Sequence, residues 1–283
     1  MRHAILLISC PDRKGITATV TDFVYRHNGN IIHADQHIDE QSNTFFMRIE
    51  WDLAKFSLGH ADIQKAFAVI ARKFAMTWSL SITDHRPSVA VFVSKHLHCL
   101  HDLLLRYQAG QFPCRIALIV SNHLEAELAA RQYRVPFYHF PIARSGKTAQ
   151  ERKEIQLLKQ SDVELVILAR YHQILSPSFV AQFRGRIINI HHSFLPAFVG
   201  KEPYLQAYKK GVKIIGATSH YVTPKLDEGP IIEQDTVRVS HRDSLEDLKR
   251  KGEDLEKLVL SRAVLWHLQR KILSYGNKTV IFD

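Results

Sequence analysis

The feature that most constrains this chain is a change in the spacing of its apolar residues close to residue 86. Before that point the strand-like segments alternate: Phe45, Met47, Ile49 and Trp51 fall on one face, and so do Met76, Trp78, Leu80 and Ile82. A period of two belongs to strands with one covered face, as in a small antiparallel sheet. After Arg86-Pro87, residues 89–93, 116–120 and 165–169 are apolar without interruption. Such runs suit strands buried on both sides of a parallel sheet. A chain of 283 residues has room for both sheets, and the change of pattern predicts two domains, 1–85 and 86–283.

Helical spacing fills the gaps between the strands. Val20, Phe23, Val24 and His27 recur at i, i+3, i+4 and i+7, and Ile63, Phe67, Ile70 and Phe74 continue at i+4, i+7 and i+11, each marking one helix face. Asn28-Gly29-Asn30 stops the first helix, and Gln41-Ser42-Asn43 turns a hairpin. The order strand, helix, strand, strand, helix, strand predicts a ferredoxin-like βαββαβ unit. In the second domain, helices expected around residues 97–108, 124–133 and 148–160 alternate with the apolar strands. That alternation predicts a doubly wound, mostly parallel α/β sheet. A long last helix should follow Asp243, capped with Glu246. Leu255, Leu258, Val259, Ala263 and Trp266 then supply its core stripe.

Composition narrows the class of function. At 46% hydrophobic and 23% charged residues the chain is globular, and no apolar stretch approaches the ~20 residues of a membrane span. The N-terminus has no signal-peptide layout, so a cytoplasmic location is expected. Cys10, Cys99 and Cys114 show no ligand spacing and no disulfide framework. The net charge of +10 rests on short clusters such as Lys249-Arg250-Lys251 without interleaved aromatics. We therefore expect no nucleic acid and no membrane among the partners. The charge reads instead either as a basic pI with both signs spread along the chain or as a positive cleft that steers a small anionic substrate.

Chemistry is expected where the strands of such a sheet end. One segment, 187–196, is a strand running into a polar, proline-stopped loop; alternation puts Asn189 and His191 on the same side. A second runs from His220-Tyr221-Val222-Thr223 into a turn, 224–230, that carries Asp227 between a glycine and two prolines. An amide donor, an imidazole and a carboxylate, with no evident Ser or Cys nucleophile, suit direct attack on a carbonyl through a tetrahedral intermediate. Each has a plainer reading: Asn189 and Asp227 as turn formers, His191 as one of 17 histidines. A zinc site of His191, His192 and His220 is disfavoured, because adjacent strand residues point to opposite faces.

The same segments carry a family resemblance. Residues 189–200, Asn-Ile-His-His-Ser-Phe-Leu-Pro-Ala-Phe-Val-Gly, resemble the first signature of the folate-dependent formyltransferases, and 220–223 with 226–234 resemble the second. Within them the chain is most similar to the formyltetrahydrofolate deformylases, in its His191-His192 pair and in Leu168-Ala169-Arg170-Tyr171, Ser240-His241-Arg242-Asp243 and 275–280. The opening 8–16 resembles an ACT domain. The resemblance implies hydrolysis of 10-formyltetrahydrofolate to formate and tetrahydrofolate, supplying formate for purine biosynthesis. The alternative it leaves is formyl transfer to an amine such as glycinamide ribonucleotide. It also implies that Asn189, His191 and Asp227 are catalytic, and that Arg170, Tyr171, His172, Gln173, Ile174 and His220 bind substrate. No metal and no cofactor are implied, since the folate is the substrate. His172 stands where the pattern has Met, and Lys201-Glu202 where it has Ala-Lys. The ACT resemblance implies an amino-acid effector, glycine or methionine, and a homo-oligomer; the loop Asp12-Arg13-Lys14-Gly15 entering a helix reads either as backbone amides offered to a carboxylate or as an ordinary helix start.

Overall fold

The computed structural model describes residues 2–141, 146–196 and 202–283; Lys201 and the first signature's last four residues lie outside them. The chain divides into two compact units. One comprises 1–86 with 270–275 and 280–283, the other 87–269 with 276–279. The boundary expected near residue 86 thus coincides with a division, whereas the C-terminal tail groups mainly with the first unit.

The first unit runs β1 (His3–Pro11), α1 (Ile16–Arg26), β2 (Asn30–Asp39), β3 (Thr44–Asp52), α2 (His60–Phe74) and β4 (Thr77–Ile82). Its sheet is antiparallel in the order β2-β3-β1-β4. The alternating residues do what their spacing requires. Phe45, Met47, Ile49 and Trp51 are buried against Val20, Phe23 and Phe67 of the two helices.

The other face of this sheet departs from the expectation of a single covered side. Leu7 and Phe46 there are buried too, covered by Phe282, Leu273, Tyr275 and Val280. The covering residues come from a C-terminal hairpin, β12 (Ile272–Tyr275) and β13 (Lys278–Ile281), whose own alternation presents one apolar face. Arg48 points to that side as well, donating through Nε to the carbonyl oxygen of Arg270 at 3.1 Å and through Nη2 to Glu50 at 2.8 Å.

The second unit continues with β5 (Ser88–Val93), α3 (His98–Gln108), β6 (Arg115–Ser121), α4 (Ala126–Gln132), β7 (Phe137–His139), α5 (Lys147–Gln160), β8 (Val163–Ala169), α6 (Pro177–Gln182), β9 (Ile187–His191), α7 (Pro203–Lys210), β10 (Ile214–Tyr221), β11 (Ile231–Arg238) and α8 (Leu245–Leu268). The sheet order is β11-β10-β9-β8-β5-β6-β7. Strands β5 to β9 are parallel, and every residue of β5 is buried. The chain builds outward from β5 on one side through β6 and β7, then returns to build from β8 on the other. The order therefore reverses between β5 and β8, where a doubly wound sheet opens a crevice.

Two local expectations shift. The capping box of α8 is Ser244 with Asp247, one residue later than Asp243 with Glu246. Asp243 is engaged elsewhere, accepting from Lys251 at 2.9 Å and from the Ser240 amide at 2.7 Å. The core stripe of α8 keeps Leu255, Val259 and Ala263 but shifts at its edge. Gly252, Leu255, Glu256, Val259, Leu260 and Ala263 are buried, while Leu258 is 41% exposed. Among the described residues no helix is long and apolar enough to cross a membrane.

Phe282 is 1% exposed in the cluster beneath the tail. Phe282→Ala should lower unfolding free energy by roughly 3–5 kcal/mol in a denaturant titration; a loss under about 1 kcal/mol would show the tail to be dispensable cover.

Candidate active site

The site starts from the register between β9 and β10. The two strands are antiparallel, with Asn189 opposite His220 and His191 opposite Thr218. That register brings the Asn189 amide nitrogen within 3.2 Å of His220 Nε2. His220 Nδ1 lies 3.0 Å from the Tyr221 carbonyl oxygen, so Nδ1 carries the proton and Nε2 accepts from Asn189.

Because β10 runs against its neighbours, its carboxyl end does not lie at the edge where the parallel strands end, contrary to the expectation. The following loop has to double back. The Tyr221 amide donates to the Pro230 carbonyl at 2.9 Å, and the backbone closes so tightly that a Cβ on Gly229 would sit 1.7 Å from the Tyr221 oxygen. Only glycine fits there. Asp227, inside this loop, takes a left-handed φ of 55°, a conformation that Asp tolerates better than most residues.

The returned loop sets Asp227 Oδ2 3.4 Å from His191 Nδ1 and Oδ1 3.7 Å from His220 Nε2. Burial pushes the Asp227 carboxyl up, but the contact with His191 outweighs it and holds the acid well below its usual range. The two claims on His220 Nε2 compete. We assign it to Asn189, whose contact is shorter and agrees with the proton placed on Nδ1. The other ring nitrogen of His191, Nε2, is buried and has no hydrogen-bond partner among the described residues.

A cavity of about 400 Å³ opens on these groups. Asn189, His191, His220 and Asp227 form part of its lining, and residues 170–175 after β8 form the facing part. All of the residues expected to bind substrate therefore line it, in different ways. Tyr171 is buried, its ring edge-on to Phe92 at 5.3 Å, so much of it is core. At the rim Gln173 is half-buried and Ile174 is 60% exposed. His172 is exposed at its surface, yet desolvation of its inner side and then the charges of Arg170 and His96 draw it down to about 4. Arg170, at φ 61°, keeps its side chain only 10% exposed and its Nε 3.4 Å from Glu256.

The argument that His191 and His192 must diverge does not hold, because β9 ends at His191. The rings lie 5.2 Å apart, and His192 lines the same cavity. Burial and then the Arg170 charge pull His192 down to about 3. Sequence reasoning also passed over Glu256, fully buried beneath the site. Its signal was a carboxylate inside the apolar stripe of α8, four residues after Gly252 and three before Val259.

An amide and an unpaired imidazole nitrogen on one wall, with a carboxylate fixed behind the imidazole, can polarise a carbonyl and manage the proton of an attacking group. Comparison with known proteins agrees with this chemistry. A family described as formyl transferase matches residues 88–264, and the ACT domain matches 4–51. A formyltetrahydrofolate deformylase of Synechocystis is 53% identical over 279 residues, covering 99% of this chain and 98% of the relative. The crystal structure of a formyltetrahydrofolate deformylase from Pseudomonas syringae superposes with a TM-score of 0.98 at 44% identity, over 100% of this chain and 95% of that one. A glycinamide ribonucleotide transformylase from Symbiobacterium toebii reaches a TM-score of 0.67 at 33% identity, over 70% of this chain and 95% of its own. The chain belongs to the formyltetrahydrofolate deformylase family, an ACT domain joined to a formyl transferase domain.

Proposed function

We propose that this enzyme hydrolyses 10-formyltetrahydrofolate to formate and tetrahydrofolate by direct attack of water on the formyl carbonyl, supplying formate for purine biosynthesis. The observation that carries the reading is His191 Nε2, a buried ring nitrogen left unpaired on the cavity wall while Nδ1 faces Asp227. Leaving such a group without a partner costs about 1–3 kcal/mol, which a substrate oxygen would recover.

Asn189 and the protonated His191 donate to the formyl oxygen as it becomes negative. Water adds to the carbon, while Asp227, kept ionised by its histidine contact, steadies the imidazolium and relays the proton that the added water releases without retaining it. That proton passes to N10 as the C–N bond breaks, so tetrahydrofolate leaves neutral at N10 and formic acid leaves, giving its remaining proton to solvent to become formate. The route uses no covalent adduct, metal or cofactor. The cavity wall formed by residues 170–175 holds the pterin, with Ile174 and Gln173 at the mouth, and the chain's positive charge favours a polyanionic folate.

The ACT domain serves, in this reading, as an amino-acid effector site, glycine or methionine being the first ligands to test. The support is the family match and the start of α1, where Gly15 at φ 93° leaves the first turn without a side-chain cap. Strand β2 forms one edge of its sheet, a surface on which a second copy can pair, and the enzyme is expected to be a cytoplasmic homo-oligomer.

Protein mixed with 10-formyltetrahydrofolate and no amine should release formate; transfer only in the presence of glycinamide ribonucleotide would make it a transferase. Asp227→Asn should lower kcat by at least about 10²-fold with a melting temperature within a few degrees of wild type. A large drop in melting temperature would show Asp227 to be structural.

His192 generates a pH prediction. Its folded value lies below the ordinary 6.5, so the unfolded chain binds the extra proton first. Stability from this group is present above pH 6.5 and is lost as pH falls from there towards about 3. His192→Gln should flatten the decline in melting temperature between pH 6.5 and 4; an unchanged slope would assign the decline to other groups. For the ACT domain, calorimetric titration should show saturable heat with glycine or methionine, and silence with both would refute the effector.

A further inference from the structure

We propose that Glu256 is a positioning residue for deformylation: its buried carboxylate clamps Arg170 at the end of β8 and thereby fixes the 170–175 wall of the folate cavity. The proposal rests on the folate-binding reading of that cavity.

Glu256 is completely buried on α8. Its Oε2 accepts from His98 Nε2 at 2.8 Å and forms an ion pair with Arg170, whose Nε lies 3.4 Å away and has no hydrogen-bond partner among the described residues. Its Oε1 accepts from the Tyr204 hydroxyl at 2.5 Å. One carboxylate thus ties together α3, the end of β8, α7 and α8. A buried charge is tolerated only when it is paired and hydrogen-bonded, and here the pairing is directed at the cavity. Burial alone would raise the Glu256 acid, but the His98 hydrogen bond, the charges of Arg170 and His98 and the Tyr204 hydroxyl hold it down near 2.

Two features show that the surroundings are shaped to this clamp. Gly252 lies one turn before Glu256, and a Cβ there would sit 2.2 Å from the Tyr204 hydroxyl oxygen. The small residue lets Tyr204 reach the carboxylate. The Tyr204 ring in turn lies 6.1 Å from His192, the neighbour of His191. On the other side Arg170 adopts a left-handed backbone at φ 61°, a conformation costly for a long side chain unless its surroundings hold it. Its carbonyl accepts from the Ser94 amide at 3.3 Å, and the Ser94 hydroxyl accepts from the His172 amide at 3.1 Å. Arg170 is therefore the fixed end of the wall that continues through Leu175 along the cavity.

The same carboxylate also groups with His98 and Cys99 in a geometry that a metal ion could use. The Arg170 guanidinium beside Oε2 opposes a cation, and burial pushes the Cys99 thiol well above its usual range. We read the trio as part of the clamp.

The test compares wild type, Glu256→Gln, Arg170→Met and the double variant by KM and kcat for 10-formyltetrahydrofolate and by Kd for tetrahydrofolate, with melting temperature alongside. Each single change should raise KM and Kd about tenfold while kcat falls less than threefold. The double variant should be no worse than the worse single one, since both act through one clamp. It leaves no uncompensated buried charge, so it carries the test if either single variant fails to fold. Wild-type KM and Kd in the folded variants, or losses that multiply in the double variant, would overturn the proposal. A lowered melting temperature with unchanged KM and Kd would make Glu256 purely structural. Absence of formate release by wild type would instead defeat the hydrolase reading, and Kd would still report on the wall.

Discussion

The close approach of Gly229 to Tyr221 is the constraint on which the site depends. Strand β10 runs antiparallel to β9, and without a sharp return its loop would carry Asp227 away from His191. The missing side chain at position 229 lets the loop fold back against the Tyr221 carbonyl, and the hydrogen bond from the Tyr221 amide to Pro230 fastens it. Asp227 then faces His191 across 3.4 Å. The chemistry follows from that return, because an imidazole with an acid behind it and a free nitrogen in front becomes a directed donor.

Charge is arranged in two sets of largely buried groups, one on the cavity lining and one behind it that reaches the lining through Arg170. Asp227 faces His191 and His220, and Glu256 faces Arg170, His98 and Tyr204. Arg170 links the sets, for its charge is among the causes that keep His172 and His192 neutral. Those two rings can therefore shape the wall without adding positive charge beside the Asp227–His191 pair. Both acids hold their charge because desolvation, which opposes it, is outweighed by partners in contact.

Much of the fold was legible because it rests on periodicity. The alternation of Phe45, Met47, Ile49 and Trp51 could be satisfied only by a sheet with a covered face, and residues 89–93 only by burial on both sides. The cover over Phe46 was not legible. It comes from Phe282 and Tyr275, more than 220 positions along the chain, and local spacing carries no record of so distant a partner. The shifted edge of the α8 stripe has the same origin: Leu258 fits the helical period, but where the buried side of the helix ends depends on what packs against it.

For the site, the sequence by itself determined which groups are present and that Asn189 and His191 share a face, since strand alternation is a local property. The motifs also identified the residues that line the cavity. Only the tertiary structure decided that β10 is antiparallel, that Asp227 reaches His191 by a folded-back loop, that His192 turns beside His191 once the strand ends, and that Glu256 grips Arg170 from below. These depend on register, strand direction and the meeting of segments far apart in sequence. Contacts of that kind are set by how whole elements pack, because the chain's local preferences are the same whichever neighbour arrives.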